Sequence, residues 1–151
     1  MNSIIFHAKK TIDHVLRSTW QSVSKMYNEE AAKYNSSMAV GFALLSIDPK
    51  KGTPSTSLGP KMGMEATSLS RTLKSMEEKK LIIRKPHPND GRSVLIHLTE
   101  MGKTHRALSK VAVIKFNEKI LGEIGKESLN NFHFVIEKIN ELIGNKNIFK
   151  F

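Results

Sequence analysis

LIIRKPHPNDGRSVLIHL, residues 81–98, is the stretch that decides the fold. An apolar start, Leu81, Ile82 and Ile83, runs into the turn-forming cluster Pro86, Pro88, Asn89, Asp90 and Gly91. A second apolar run then alternates, with Val94, Ile96 and Leu98 set against Leu95 and His97. Branched apolar residues on both sides of a Pro/Asn/Asp/Gly cluster read as two antiparallel strands, 81–85 and 93–98, joined by a tight hairpin. Asn89, Asp90 and Gly91 are expected to supply the left-handed backbone positions that such a turn wants.

Upstream the period changes from two to that of a helix. In EATSLSRTLKSMEEK, residues 65–79, a rotation of about 100° per residue gathers Leu69, Leu73 and Met76 on one face. Thr67, Arg71, Lys74 and Glu78 fall on the other. Before it, in TPSTSLGPKMGM, the cluster Ser55, Thr56 and Ser57 is expected to cap a short helix carrying Leu58 and Met62. Pro60 would then fall in its first turn, and Gly63 would end it. Ser36 and Ser37 offer a cap to an earlier helix through Met38, Phe42, Leu44, Leu45 and Ile47, ending at Asp48-Pro49. Helix, turn, helix, hairpin is the order of a winged helix.

Long helices flank this middle. Residues 7 to about 33 place Ile12, Val15, Leu16, Trp20, Val23, Met26 and Tyr27 at spacings of three and four. Thr99 caps a helix from Glu100 to about Leu121, which Gly122 and Gly125 are expected to break. A last helix carries Leu129, Phe132, Ile136, Ile139 and Ile143 to about Gly144. These apolar faces exceed what a small winged helix needs to cover itself, so they are expected to pack with each other and with a second copy of the chain. The predicted fold is therefore mainly α, of the α+β kind, over a single chain 1–151. A winged helix-turn-helix lobe with a two-stranded wing spans 37–98, and helices at 1–33 and 99–151 form a dimerisation region.

Composition narrows the function. Cysteine is absent, which excludes disulfides, a thiolate nucleophile, thiol-based sensing and cysteine-rich zinc sites. Six histidines form no HExxH pattern; His7 and His14 lie two turns apart on one helix and His97, His105 and His133 are scattered, so no metal or other cofactor is expected. No Ser-His-Asp arrangement, phosphate-cradling glycine loop or carboxylate pair stands out, and an enzyme is not expected. No run of eighteen apolar residues occurs, and MNSIIFHAKK lacks the features of a secretory signal, so the expectation is a soluble cytoplasmic protein with no membrane partner. The formal net charge is +10. Residues 51–110 hold twelve Lys and Arg against five Asp and Glu, an excess of seven, while the flanks are close to neutral. A basic patch there suits a polyanion such as nucleic acid, or an anionic membrane face.

GMEATSLSRTLKSMEEKKLI at 63–82 followed by DGRSVLIHLTEMG at 90–102 resembles the MarR family of bacterial transcription regulators. The second part is the more specific, with Asp90 and Arg92 in the wing, then Leu98-Thr99 and Gly102. The resemblance implies a homodimer with two winged-helix lobes on near-palindromic double-stranded DNA. It also implies a repressor of nearby genes released by a small, often aromatic, effector. Two residues depart from the family pattern: Glu65 stands where Ser or Thr commonly caps the recognition helix, and Lys80 where Gly commonly closes it.

On that reading Thr67, Ser68 and Arg71 are the candidates for base edges and Lys74 for a phosphate. Ser55, Thr56 and Ser57 are candidates for backbone contacts, and Arg92 for the minor groove or a phosphate, with Asp90 orienting it through a paired hydrogen bond. Trp20, Met26 and Phe42 are candidates to line an effector pocket, although such stripes are more often plain core. The alternative is a winged-helix interaction protein with weak or non-specific DNA binding.

Overall fold

In the computed structural model, residues 11–146 and 148–149 are described; His7 and the predicted start of the first helix lie outside them. The elements are α1 (Ile12–Ala32), α2 (Met38–Ser46), β1 (Thr53–Pro54), α3 (Ser55–Met62), α4 (Ala66–Glu78), β2 (Ile82–His87), β3 (Asp90–Leu98), α5 (Glu100–Ile124) and α6 (Lys126–Gly144). They divide into two compact units, Met1–Ala112 and Val113–Phe151, with the boundary inside α5. Among the described residues no helix is long and apolar enough to cross a membrane.

The core of the first unit is built from the apolar positions the periodicity selects. Val40, Ala43, Leu44 and Ile47 from α2 and its end meet Leu58 of α3, Leu69, Leu73 and Met76 of α4, then Leu81, Ile82, Ile96 and Leu98. β3 contributes the alternate residues Ile96 and Leu98 and β2 its first residue, Ile82, so one face of the sheet closes the core. Ser37 caps α2 by accepting from the Val40 amide at 3.3 Å. Asn28 of α1 accepts from the Met38 amide at 2.9 Å, and Lys79 Nζ donates to the Asn35 carbonyl at 2.8 Å. The turn between α1 and α2 is thereby tied to the end of α4. The following loop is pinned by Asp48, whose carboxylate accepts from the Lys51 and Lys50 amides; these bonds hold its carboxyl below the usual range.

The sheet has three strands, in the order β1-β3-β2, rather than the expected two. Thr53 and Pro54 pair with Ile96 and Leu95 on the far side of β3. The hairpin tip also differs. None of Asn89, Asp90 and Gly91 has a positive φ. The two-residue turn is Pro88-Asn89, and the proline ring fixes φ near −65°, which rules out the left-handed pair. Side chains hold the tip instead: the Asn89 amide donates to His87 Nδ1 at 3.1 Å, and the Arg92 amide to Asp90 Oδ1 at 3.0 Å. Pairing then passes from Pro86↔Val94 directly to His87↔Asp90, leaving Gly91, Arg92 and Ser93 as an unmatched bulge.

Two helix boundaries differ from expectation, the start of α3 and the end of α5. Ser55, Thr56 and Ser57 form the first turn of α3 rather than its cap, which is Pro54. Pro60 consequently sits in the second turn, two residues from the end, where the helix closes at left-handed Gly63. Gly122 does not break α5; a single interior glycine costs only about 1 kcal/mol, too little to stop a 25-residue helix. The break comes at Gly125, with φ +86.

The junction of α4, β2 and α5 is the tightest point in the lobe. Lys80 takes a left-handed φ of +58, and the Leu81 amide reaches back to Met76 O at 2.9 Å, closing α4. Thr99 then donates its hydroxyl proton to the Lys80 carbonyl at 2.6 Å while Oγ1 accepts from the Gly102 amide at 3.0 Å. A Cβ on Gly102 would lie 2.0 Å from Leu81 O, so only glycine fits there.

Candidate nucleic-acid interface

α4 turns Leu69, Leu73 and Met76 into the core and leaves Thr67, Ser68, Arg71 and Lys74 exposed, as the spacing predicts. Glu77 on the same helix pairs with Arg84 of β2 at 3.0 Å, fixing α4 against the wing. Arg71, Lys74 and the Arg92 guanidinium have no hydrogen bond or ion pair among the described residues. An exposed helix face bearing two hydroxyls and two free cations can donate to base-edge acceptors and neutralise phosphates.

α3 brings part of its predicted cluster beside that face. Ser55 and Thr56 share a groove of about 360 Å³ with Ala66 and Ser70 of α4 and Arg84 of β2. Ser57 differs, since its hydroxyl proton is committed to the Pro54 carbonyl at 3.0 Å. Ser70 and Arg84 are additions to the predicted set. Ser70 follows Thr67 by one helical turn, a spacing that would have identified it; Arg84 gives no such signal, because its place depends on strand register.

In the wing, Arg92 occupies the bulge and is exposed. Asp90 is close to it but engages its backbone amide rather than its guanidinium, so the expected paired contact gives way to turn chemistry. The wing therefore presents Arg92 as an untethered cation.

The candidate effector residues lie in the first unit on α1 and α2. Trp20 stacks on Phe42 with ring centroids 6.5 Å apart, and Tyr27 meets the same ring edge-on at 5.9 Å. Burial pushes the Tyr27 hydroxyl above its ordinary pKa. Tyr27 belongs to the apolar stripe of the first helix but was not among the predicted pocket residues. Met26 is half-buried. Among the described residues no cluster of three or more His, Asp and Glu could hold a metal ion.

Residues 37–94 match the MarR family. Over 120 residues the chain is 25% identical to the HTH-type transcriptional regulator SarZ of Staphylococcus aureus (strain USA300), covering 78% of this chain and 81% of that one. Its fold is similar to that of S. aureus MepR in a complex with DNA, with a TM-score of 0.79 at 16% identity, covering 87% of this chain and 97% of the other. It is likewise similar to the Streptomyces coelicolor regulator PcaV with its natural ligand, with a TM-score of 0.71 at 17% identity over 93% and 98% of the two chains.

Proposed function

We propose that the chain is a winged-helix, DNA-binding transcriptional regulator of the MarR kind, acting as a cytoplasmic homodimeric repressor that reads a near-palindromic operator; the family match over residues 37–94 and the likeness to SarZ support that reading. It is not an enzyme. The observation that carries the reading is the exposed face of α4, where Arg71 and Lys74 stand unpaired with Thr67 and, at the flank, Ser68, on or beside the side opposite the buried Leu69 and Leu73. Burial of one face fixes which other face meets the major groove. Phosphate contacts from Lys74, Ser55 and Thr56 would supply affinity, and Thr67, Ser68 and Arg71 sequence preference. Arg92 in the bulged wing would reach the adjacent minor groove or a phosphate.

Dimerisation is supported by two helices that cover themselves poorly. Neither α1 nor α6 buries a single residue, and Trp20, Phe132 and Phe134 are 53%, 54% and 59% exposed. Apolar surface of that extent calls for a second copy. The ring cluster of Trp20, Phe42 and Tyr27, with Met26 nearby in sequence, supports a small aromatic effector that would release the DNA; PcaV is a structural relative described with its natural ligand.

Selection of bound duplexes from a random pool tests the reading. The expected result is a palindrome with half-sites about one helical turn apart, bound roughly a thousandfold better than a scrambled duplex. Arg71→Ala and Arg92→Ala should each weaken binding to it, and a lost base contact should cost about 1–3 kcal/mol. Equal binding to both duplexes, abolished by salt, would instead identify the middle of the chain as a general polyanion surface.

A further inference from the structure

Glu65 is out of keeping with its surroundings. Between Asp48 and Glu77 it is the one acidic residue, in a stretch that otherwise holds only basic and neutral side chains. It is the N-cap residue of α4, with extended backbone at φ −63 and ψ 147, yet its side chain makes no capping bond. Its backbone carbonyl accepts from the Leu69 amide at 3.0 Å, but its exposed side chain has no hydrogen bond or ion pair among the described residues, so nothing within the fold occupies its carboxylate. A free negative charge at this end of α4 would be repelled by phosphates. Its position, one turn before Ser68, is where a recognition helix meets base edges rather than the sugar-phosphate backbone.

An ionised carboxylate only accepts hydrogen bonds. On the major-groove edge guanine offers O6 and N7, both acceptors, and thymine offers O4; each repels it. Adenine offers an amino group with the acceptor N7 alongside. Cytosine offers its N4 amino group alone. We propose that Glu65 is a specificity-determining residue of the reading face, accepting a hydrogen bond from the N4 amino group of one cytosine in each half-site and excluding guanine and thymine at that position. The inference rests on the DNA-reading role of α4. It has a second consequence: the same charge weakens binding to DNA that lacks the cytosine, so Glu65 sharpens discrimination from both sides.

The test is duplex selection from a random pool with the full-length wild type, Glu65→Gln and Glu65→Ala, each checked for an unchanged melting curve. The wild type should fix cytosine at one position per half-site, with replacement of that base weakening binding about fivefold to a hundredfold. Glu65→Gln should move the preference at that position alone to adenine, because an amide can pair with N6 and N7 together. Glu65→Ala should accept any base there, keep the remaining consensus and bind random DNA more tightly. An identical consensus for all three proteins, or a base other than cytosine fixed only by the wild type, would overturn the proposal while leaving the regulator reading intact. If no sequence is enriched with any of the three, the DNA-reading premise fails and the proposal fails with it.

Discussion

Lys80 carries a cost that its position explains. A side-chain-bearing residue at φ +58 crowds its own Cβ against the backbone, at roughly 1 kcal/mol or more. The bond from the Leu81 amide to Met76 O requires that geometry, and Lys80 supplies the carbonyl that accepts from Thr99. Both roles belong to the backbone, so Lys80→Gly should keep them and relieve the strain. The expected result is a gain of about 1 kcal/mol in urea unfolding with an unchanged slope. A loss would mean that the lysine side chain contributes something the backbone bonds do not.

At the scale of elements, the joint between the winged-helix lobe and α5 depends on a missing side chain. Gly102 lets the first turn of α5 lie against the Leu81 carbonyl, and that carbonyl also accepts from the Thr99 amide at 3.0 Å. Gly102→Ala would force two backbones apart and should cost about 1–3 kcal/mol, read as a lower melting temperature. The amphipathic period was enough to read α4, its buried face and its exposed candidates, because Leu69, Leu73 and Met76 leave no other rotation. The alternation of Val94, Ile96 and Leu98 likewise gave the inward face of β3. β1 was not legible, since two residues cannot display a period and their pairing partner lies some forty residues away. The wing tip was misread because Asn-Asp-Gly dominates local turn chemistry, whereas Pro88 decided which residues actually turn. Asp90's bond to a backbone amide rather than to the Arg92 side chain follows from that same local geometry.

For the whole molecule, the decisive question is what covers the apolar helices. Leu129, Ile136 and Ile139 of α6 are half-buried, while Phe132 and Ile143 on the same stripe are exposed. In the proposed dimer these positions would lie in the subunit contact. Phe132→Asp should therefore shift sedimentation equilibrium toward monomer and, by separating the two reading lobes, reduce operator affinity more than affinity for a single half-site. A variant that stays dimeric would remove Phe132 from the contact.

The sheet, by contrast, is closed to other chains. Its order leaves β1 and β2 at the edges, and each contains a proline, Pro54 and Pro86, that lacks an amide proton. Arg84 and Lys85 add charge to the longer edge. An incoming strand would find neither a continuous row of donors nor an uncharged surface, which guards against runaway strand-to-strand polymerisation. In the proposed dimer, self-association would thereby be left to the helices, where it would end at a closed pair instead of growing into fibres.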